Sequence, residues 1–218
     1  MPNRFYLTTL SSHHRAIRQL GLAVLIALLT ALAGCASTAL TPAQIAAANS
    51  SRAYAQKIEV SGRLSAQYES MSGPQSIHIN FTWSQTPEQT LISLGSPTGQ
   101  TVATILINDQ GALLTQTDKP PRSANDPNQL FLEMLGWPLP IAGLRDWLQG
   151  FIKPDHQLAA TPSDTNRSFN AEGWDLRYPT WEIDQHSARP KRIDLSRQTE
   201  QAGLVSLRVV IDEWSTQQ

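Results

Sequence analysis

The chain has 218 residues, 40% of them hydrophobic and 16% charged, which is enough apolar material for one real core. Its 17 Lys and Arg are balanced by 18 Asp and Glu, which argues against a nucleic-acid-binding surface, and a lone cysteine, Cys35, excludes an internal disulfide framework.

The first 34 residues have the order of a secretory leader: Arg4, Arg15 and Arg18 precede an apolar run from Leu20 to Ala33. That run of fourteen is short for a membrane span, which needs about twenty residues. Leu32-Ala33-Gly34 then sets small residues before Cys35, and the pattern resembles the lipobox of bacterial lipoproteins, in which cleavage leaves the cysteine as an acylated first residue. Loss of the leader removes three arginines and no acid, leaving 14 basic against 18 acidic side chains. The expected organisation is a lipoprotein signal over 1–34, a lipidated terminus with tether and short helix over 35–52, and one domain over 53–218. The lipobox implies a covalent N-acyl diacylglyceryl group on Cys35, and several acyl chains anchor stably where one holds only marginally. Ala36 stands where an aspartate tends to retain enteric lipoproteins in the inner membrane, so the outer membrane is the expected address.

Beyond the tether, Thr41 and Pro42 open a short helix. From Ile58 the period becomes two: Ile58, Val60, Leu64, Ala66 and Tyr68 share one face of a strand that Ser72-Gly73-Pro74 ends. Ile77, Ile79, Phe81 and Trp83 alternate likewise, and the two strands are expected to pair antiparallel. Strands over Thr90–Leu94, Thr101–Ile107 and Ala112–Thr115 follow, separated by Ser96-Pro97-Thr98-Gly99 and Asn108-Asp109-Gln110-Gly111.

The pattern then turns helical. Asp126 caps and Pro127 opens a helix with Leu130, Phe131, Met134 and Leu135 as its stripe, ended by Gly136. A second helix over Pro140–Gly150 places Ile141, Leu144, Trp147 and Leu148 on one side, with Arg145, Asp146 and Gln149 free to face water. Pro154–Thr165 reads as a polar loop or irregular strand. Strands return at Gly173–Tyr178, Thr180–Ile183, Lys191–Arg197 and Leu204–Trp214. The result is a mainly β, α+β domain with an antiparallel sheet and two inserted helices.

Motifs for chemistry are missing. The sequence contains no nucleotide loop, nucleophile elbow or paired-histidine zinc motif. His78, His156 and His186 are scattered and read as outward polar residues, so no metal site is expected. Asp212-Glu213 are adjacent in a strand, where neighbours point to opposite faces, so they do not converge on a substrate. The six tryptophans read first as core, with some available to line an apolar pocket.

Leu135-Gly136-Trp137-Pro138-Leu139-Pro140, followed by Leu144, Trp147-Leu148 and Gly150, resembles the signature of the LolB family. Val60-Ser61-Gly62-Arg63-Leu64, Phe81-Thr82-Trp83, Ser96 through Thr101, Gly173-Trp174 through Tyr178, Leu207 and Trp214 match in the same order. The resemblance implies an incomplete antiparallel β-barrel with helices plugging one side around an apolar cavity, expected to be lined by Ile79, Phe81, Trp83, Leu106, Leu132, Leu135, Trp147 and Leu148. It implies a non-enzymatic, monomeric acceptor on the outer membrane of a Gram-negative bacterium, with its domain in the periplasm. Its partners would be a LolA-like soluble carrier, cargo lipoproteins and outer-membrane lipid, and it would need no dissociable cofactor. The family's protruding membrane-insertion loop falls on Pro97, Thr98 and Gly99, where Thr98 replaces the usual exposed leucine. An alternative is an anchored β-rich scaffold or envelope assembly factor that binds a protein partner and carries no lipid.

Overall fold

The first and last strands of the domain lie side by side. In the computed structural model, which describes residues 41–152, 159–184 and 187–216, helix α1 (Pro42–Ser50) precedes β1 (Ile58–Ser70), β2 (Gly73–Gln85), β3 (Gln89–Gly95), β4 (Thr101–Asn108), β5 (Gly111–Gln116) and β6 (Lys119–Ala124). Helices α2 (Pro127–Leu135) and α3 (Ile141–Trp147) follow, then β7 (Ser168–Ala171), β8 (Trp174–Ile183), β9 (Ala188–Thr199) and β10 (Gly203–Thr216). The ten strands form one antiparallel sheet in the order β6-β5-β4-β3-β2-β1-β10-β9-β8-β7. The order is open at β6 and β7, which gives the incomplete barrel expected from the sequence. The leader, Cys35 and the first part of the tether lie outside the described residues.

Alternation builds the inner face. Trp174, Leu176 and Tyr178 of β8, Ile193 and Leu195 of β9, and Val205, Leu207, Val209 and Ile211 of β10 are all at most 3% exposed. β1 and β2 pair along their whole lengths to a two-residue tip, Met71-Ser72, whereas β3 pairs with β2 only over Asn80–Gln85. The hairpin therefore runs on past its neighbour.

Two strands escape the sequence reading. β6 contains Pro120-Pro121, a pattern without alternation, and an edge tolerates it because no further strand needs those missing N–H groups. β7 is only four residues long, too short for a period. The two strands read at 173–178 and 180–183 are one, β8, whose pairing with β9 is irregular between Arg177 and Trp181, where Pro179 has no N–H to offer.

Helix α2 is built as its caps predict. Asp126 accepts the Asn128 N–H at 2.9 Å, Pro127 occupies the first turn, and Gly136 at φ 77° returns its N–H to the Leu132 carbonyl. In α3 the apolar side is buried as expected, but the polar side does not face water. Arg145 donates to Thr90 Oγ1 at 2.7 Å and to the Thr86 carbonyl at 2.9 Å, and Asp146 lies against the Tyr54 hydroxyl. Gln149 is buried: its Oε1 accepts from the Ala55 N–H at 2.9 Å and its Nε2 donates to the Ala55 carbonyl at 3.1 Å. Their partners come from the chain before β1, the β2–β3 turn and the start of β3, which no helical period discloses.

Arg52 completes this clasp. Its guanidinium lies 5.3 Å from the Phe151 ring centre and 4.9 Å from that of Trp181, and it donates to the Gln149 carbonyl at 2.7 Å and to the Ala160 carbonyl. Burial lowers its pKa to about 10, so it stays charged at neutral pH. The segment leaving α1 is thereby fixed to the turn that ends α3.

Two stability predictions follow from close contacts. At Gly62 an added Cβ would lie 2.0 Å from the Val210 carbonyl oxygen, so Gly62→Ala is expected to cost ~2 kcal/mol or more and lower Tm by roughly 4–8 °C in a circular-dichroism melt. A melt matching wild type would show that β1 and β10 do not approach this closely. Gln149→Leu leaves both backbone groups of Ala55 unpaired and is expected to cost about 2 kcal/mol. The Ala55 amide should then exchange with deuterium faster than its neighbours in β1; unaltered protection would count against the clasp.

Candidate functional site

An apolar cavity lies between the inner face of the sheet and the helical segment. The strands contribute Leu64, Phe81, Trp83, Ile92, Leu94, Ile105 and Val209, and the helical segment contributes Phe131, Leu139, Ile141, Leu144 and Leu148. Every lining side chain is apolar. Cross-strand register brings them together: Trp83 faces Ile92, Phe81 faces Leu94, and Ile92 faces Ile105 in turn. The free volume is about 60 Å³, whereas ligand pockets run to roughly 300–1,000 Å³. As it stands the cavity is too small for a long chain, which enters only if its walls separate.

Of the side chains expected to line a cavity, Phe81, Trp83 and Leu148 do so. Trp147 is buried nearby, but its ring covers the Cα of Gly143, where an added Cβ would come within 2.3 Å of it. Ile79 lies on the inner face one step beyond Phe81, where β3 no longer pairs and the cavity has ended. Leu106 is on the outer face, in a row with Leu91 and Leu113, because Ile105 takes the inner position. Leu132 and Leu135 line a separate surface groove of about 390 Å³ with Tyr68, Met71, Gly136 and Ala202.

Most of the cavity was missed by the sequence reading. Counting pairs back from the Thr86–Glu88 turn would have placed Ile92 and Leu94 opposite Trp83 and Phe81. The phase of the run Ile105-Leu106-Ile107 has no such marker within itself.

The turn at Pro97, Thr98 and Gly99 is exposed, polar and tied down. Ser96 N–H donates to the Gln100 carbonyl at 2.8 Å, Gly99 N–H to the Ser96 carbonyl at 2.9 Å, and the Ser96 and Thr98 hydroxyls are 2.7 Å apart. Asn80 Nδ2 also donates to the Ser96 carbonyl at 3.0 Å, holding the turn to β2. Gly99 has φ 88°, a left-handed conformation in which glycine is unstrained. The nearest large apolar side chain in the open is Val102, 40% exposed in β4.

Asp212 and Glu213 depart from simple alternation. Ser61 faces Glu213 while Gly62 faces Ile211, so Asp212 is an extra, bulged residue and both carboxylates are exposed. Asp212 accepts two hydrogen bonds from Arg63, at 2.9 and 2.8 Å, which hold its carboxyl below the usual carboxylate range, while Ser61 donates to Glu213 at 3.4 Å. They stand outside the cavity. His78 is exposed beside Ser76, and His156 and His186 lie outside the described residues. Among the described residues no group of three or more His, Cys, Asp or Glu gathers to hold a metal ion, and no helix is long and apolar enough to cross a membrane.

Residues 56–214 match the family described as outer membrane lipoprotein LolB. The chain is 36% identical over 158 residues to an outer-membrane lipoprotein LolB of Cupriavidus pinatubonensis, covering 69% of this chain and 76% of that one. It is 34% identical over 205 residues to that of Ralstonia nicotianae, covering 90% and 97%, and 32% identical over 195 residues to that of Chromobacterium violaceum, covering 88% and 97%. With the open antiparallel sheet, the inserted helices and the apolar interior already established, these matches make the chain a member of the outer-membrane lipoprotein LolB family.

Proposed function

We propose that this chain is an outer-membrane-anchored lipoprotein receptor, acting in lipoprotein localisation, that takes the acyl chains of cargo from a soluble periplasmic carrier and passes them to the membrane. The observation that carries this reading is the cavity: twelve apolar side chains from sheet and helices converge, with no polar group among them to do chemistry. No bond needs to be made or broken. Direction then comes from differential affinity, with the bilayer holding the chains better than the cavity and the cavity better than the carrier.

The closed cavity bears on that ranking. If the open form is a minor population, the apparent affinity for an acyl chain falls by that fraction. An acceptor that must open before it binds holds its cargo less firmly than a preformed pocket would, which favours onward release. The small free volume also suits the second reading, a packed scaffold that carries no lipid. Transfer separates the two.

The anchor on Cys35 and the turn at Pro97, Thr98 and Gly99 belong to the same proposal. In the clasped domain the anchor supplies location while the cavity supplies binding, so the mature Cys35→Ala protein, exported by another signal, is expected to accept labelled lipoprotein from an acyl-loaded carrier as the anchored form does. If no label crosses to it, the acceptor role is wrong. The turn presents hydroxyls where the family usually presents leucine, and Thr98→Leu adds apolar surface that gains from burial in lipid. The variant is expected to raise delivery to liposomes several-fold without altering uptake from the carrier; unchanged delivery would remove the turn from the insertion step.

A further inference from the structure

Trp137 is 1% exposed, yet its indole Nε1–H has no hydrogen-bond partner among the described residues. Buried tryptophans normally satisfy this donor, and leaving it unpaired costs stability. Its position is distinctive. Leu135 and Gly136, just before it, line the surface groove beside the β1–β2 hairpin, and Leu139, just after it, lines the inner cavity. The Trp137 ring also packs 5.7 Å from that of Tyr68, which lines the groove. The other indole without a partner among the described residues, Trp181, lies against the Arg52 guanidinium and the Tyr178 ring, and its chain neighbours line neither space. Trp137 itself lines neither space, but among the described residues it is the buried, unpaired indole whose chain neighbours line both.

The two spaces differ in chemistry. The cavity is wholly apolar, whereas the groove mixes Tyr68, Leu132 and Leu135 with Glu69, Ser70 and Gln201. A diacylglyceryl group has the same division, with hydrocarbon tails that join a glycerol through ester carbonyls. Those carbonyls accept hydrogen bonds and enter any apolar site without partners of their own.

We propose that the Trp137 Nε1–H donates to an ester carbonyl of the bound diacylglyceryl group, with the glycerol end in the groove and the tails in the opened cavity. This rests on the acyl-acceptor reading and deepens it: the site recognises the junction of head and tail as well as the tail. A donor that is unpaired when the site is empty and paired when it is filled favours the filled state, because its deficit is relieved by the ligand.

The test uses the mature Cys35→Ala protein and two synthetic probes, a triacylated cysteine peptide and its analogue in which both ester carbonyls are replaced by methylenes. Wild type is expected to bind the ester form about 3- to 10-fold more tightly than the ether form, and Trp137→Phe to bring that ratio close to one. Taking the ratio within each protein cancels the change in ring volume. Should the variant fail to fold, infrared spectra of wild type with ¹³C-labelled ester carry the test, since a hydrogen-bonded carbonyl absorbs at lower wavenumber. A ratio that is the same in both proteins, or an unshifted carbonyl band in the complex, overturns the proposal alone. Failure of wild type to bind either probe overturns the acyl-acceptor reading, and this proposal with it.

Discussion

The pairing of β1 with β10 is the constraint from which the rest of the architecture follows. It joins the two ends of the domain at the middle of the sheet, from Ile58 opposite Thr216 to Gln67 opposite Ser206. Five strands extend from it on one side as successive hairpins and three on the other, so the two edges, β6 and β7, come from the middle of the sequence. The residues between those edges have to travel from one to the other. They carry α2 and α3, whose apolar stripes find cover only on the inner face. The helical plug is thus a consequence of closing the sheet through its ends. The close approach at Gly62 shows how tightly that central pair is drawn.

The same topology leaves the helical side less firmly held than the sheet. Strands are bonded to neighbours along their length, while α2 rests on β5 and β6, α3 is tied through Arg145 to Thr90 and the Thr86 carbonyl, and the segment after it is joined through Gln149 and Arg52 to the chain before β1. Between the two helices run Gly136 in a left-handed turn and two prolines, with few backbone bonds to the sheet. A movement that enlarges the cavity therefore breaks side-chain packing before it breaks a ladder. On the proposed reading, the closed interior is the resting form of a container whose lid is this segment.

Where alternation was unambiguous, the sequence carried the architecture. β1, β2, β8, β9 and β10 interleave polar and apolar residues, and their inner faces fell where the period put them. The caps of α2 were equally legible because Asp126, Pro127 and Gly136 act on local backbone. What stayed hidden depended on distant partners. Leu106 was misplaced because an unbroken apolar run has no phase, and only the facing strand decides it. Gln149 was read as a surface residue because its partner, Ala55, is remote in sequence and offers backbone groups that no side-chain pattern records. β6 was not recognised as a strand because its two prolines are permitted only at an edge, and edges are a property of the whole sheet. The cavity combined these difficulties, drawing on five strands and the helical segment at once, so the three residues found for it are those on the strongest alternation or the strongest helical stripe.

An interior without polar atoms has a consequence for selectivity. Apolar contact distinguishes ligands weakly, a methylene being worth about 1–3 kcal/mol, whereas a placed hydrogen-bonding group can reject a ligand that lacks its partner far more strongly. A cavity of this kind reads chain length poorly and reads nothing of the protein to which the chains are attached. On the proposed reading, that suits an acceptor for many cargoes, since the lipid is what they share. It also leaves the site open to free fatty acids and membrane lipid, which present the same tails. Discrimination has to be made outside that interior, where polar groups begin, and on the proposed reading of the site the buried, unpaired indole of Trp137 supplies one such group. A donor to an ester carbonyl selects esterified chains over ether-linked or bare hydrocarbon, whereas membrane phospholipid carries the same esters and has to be held off by other means.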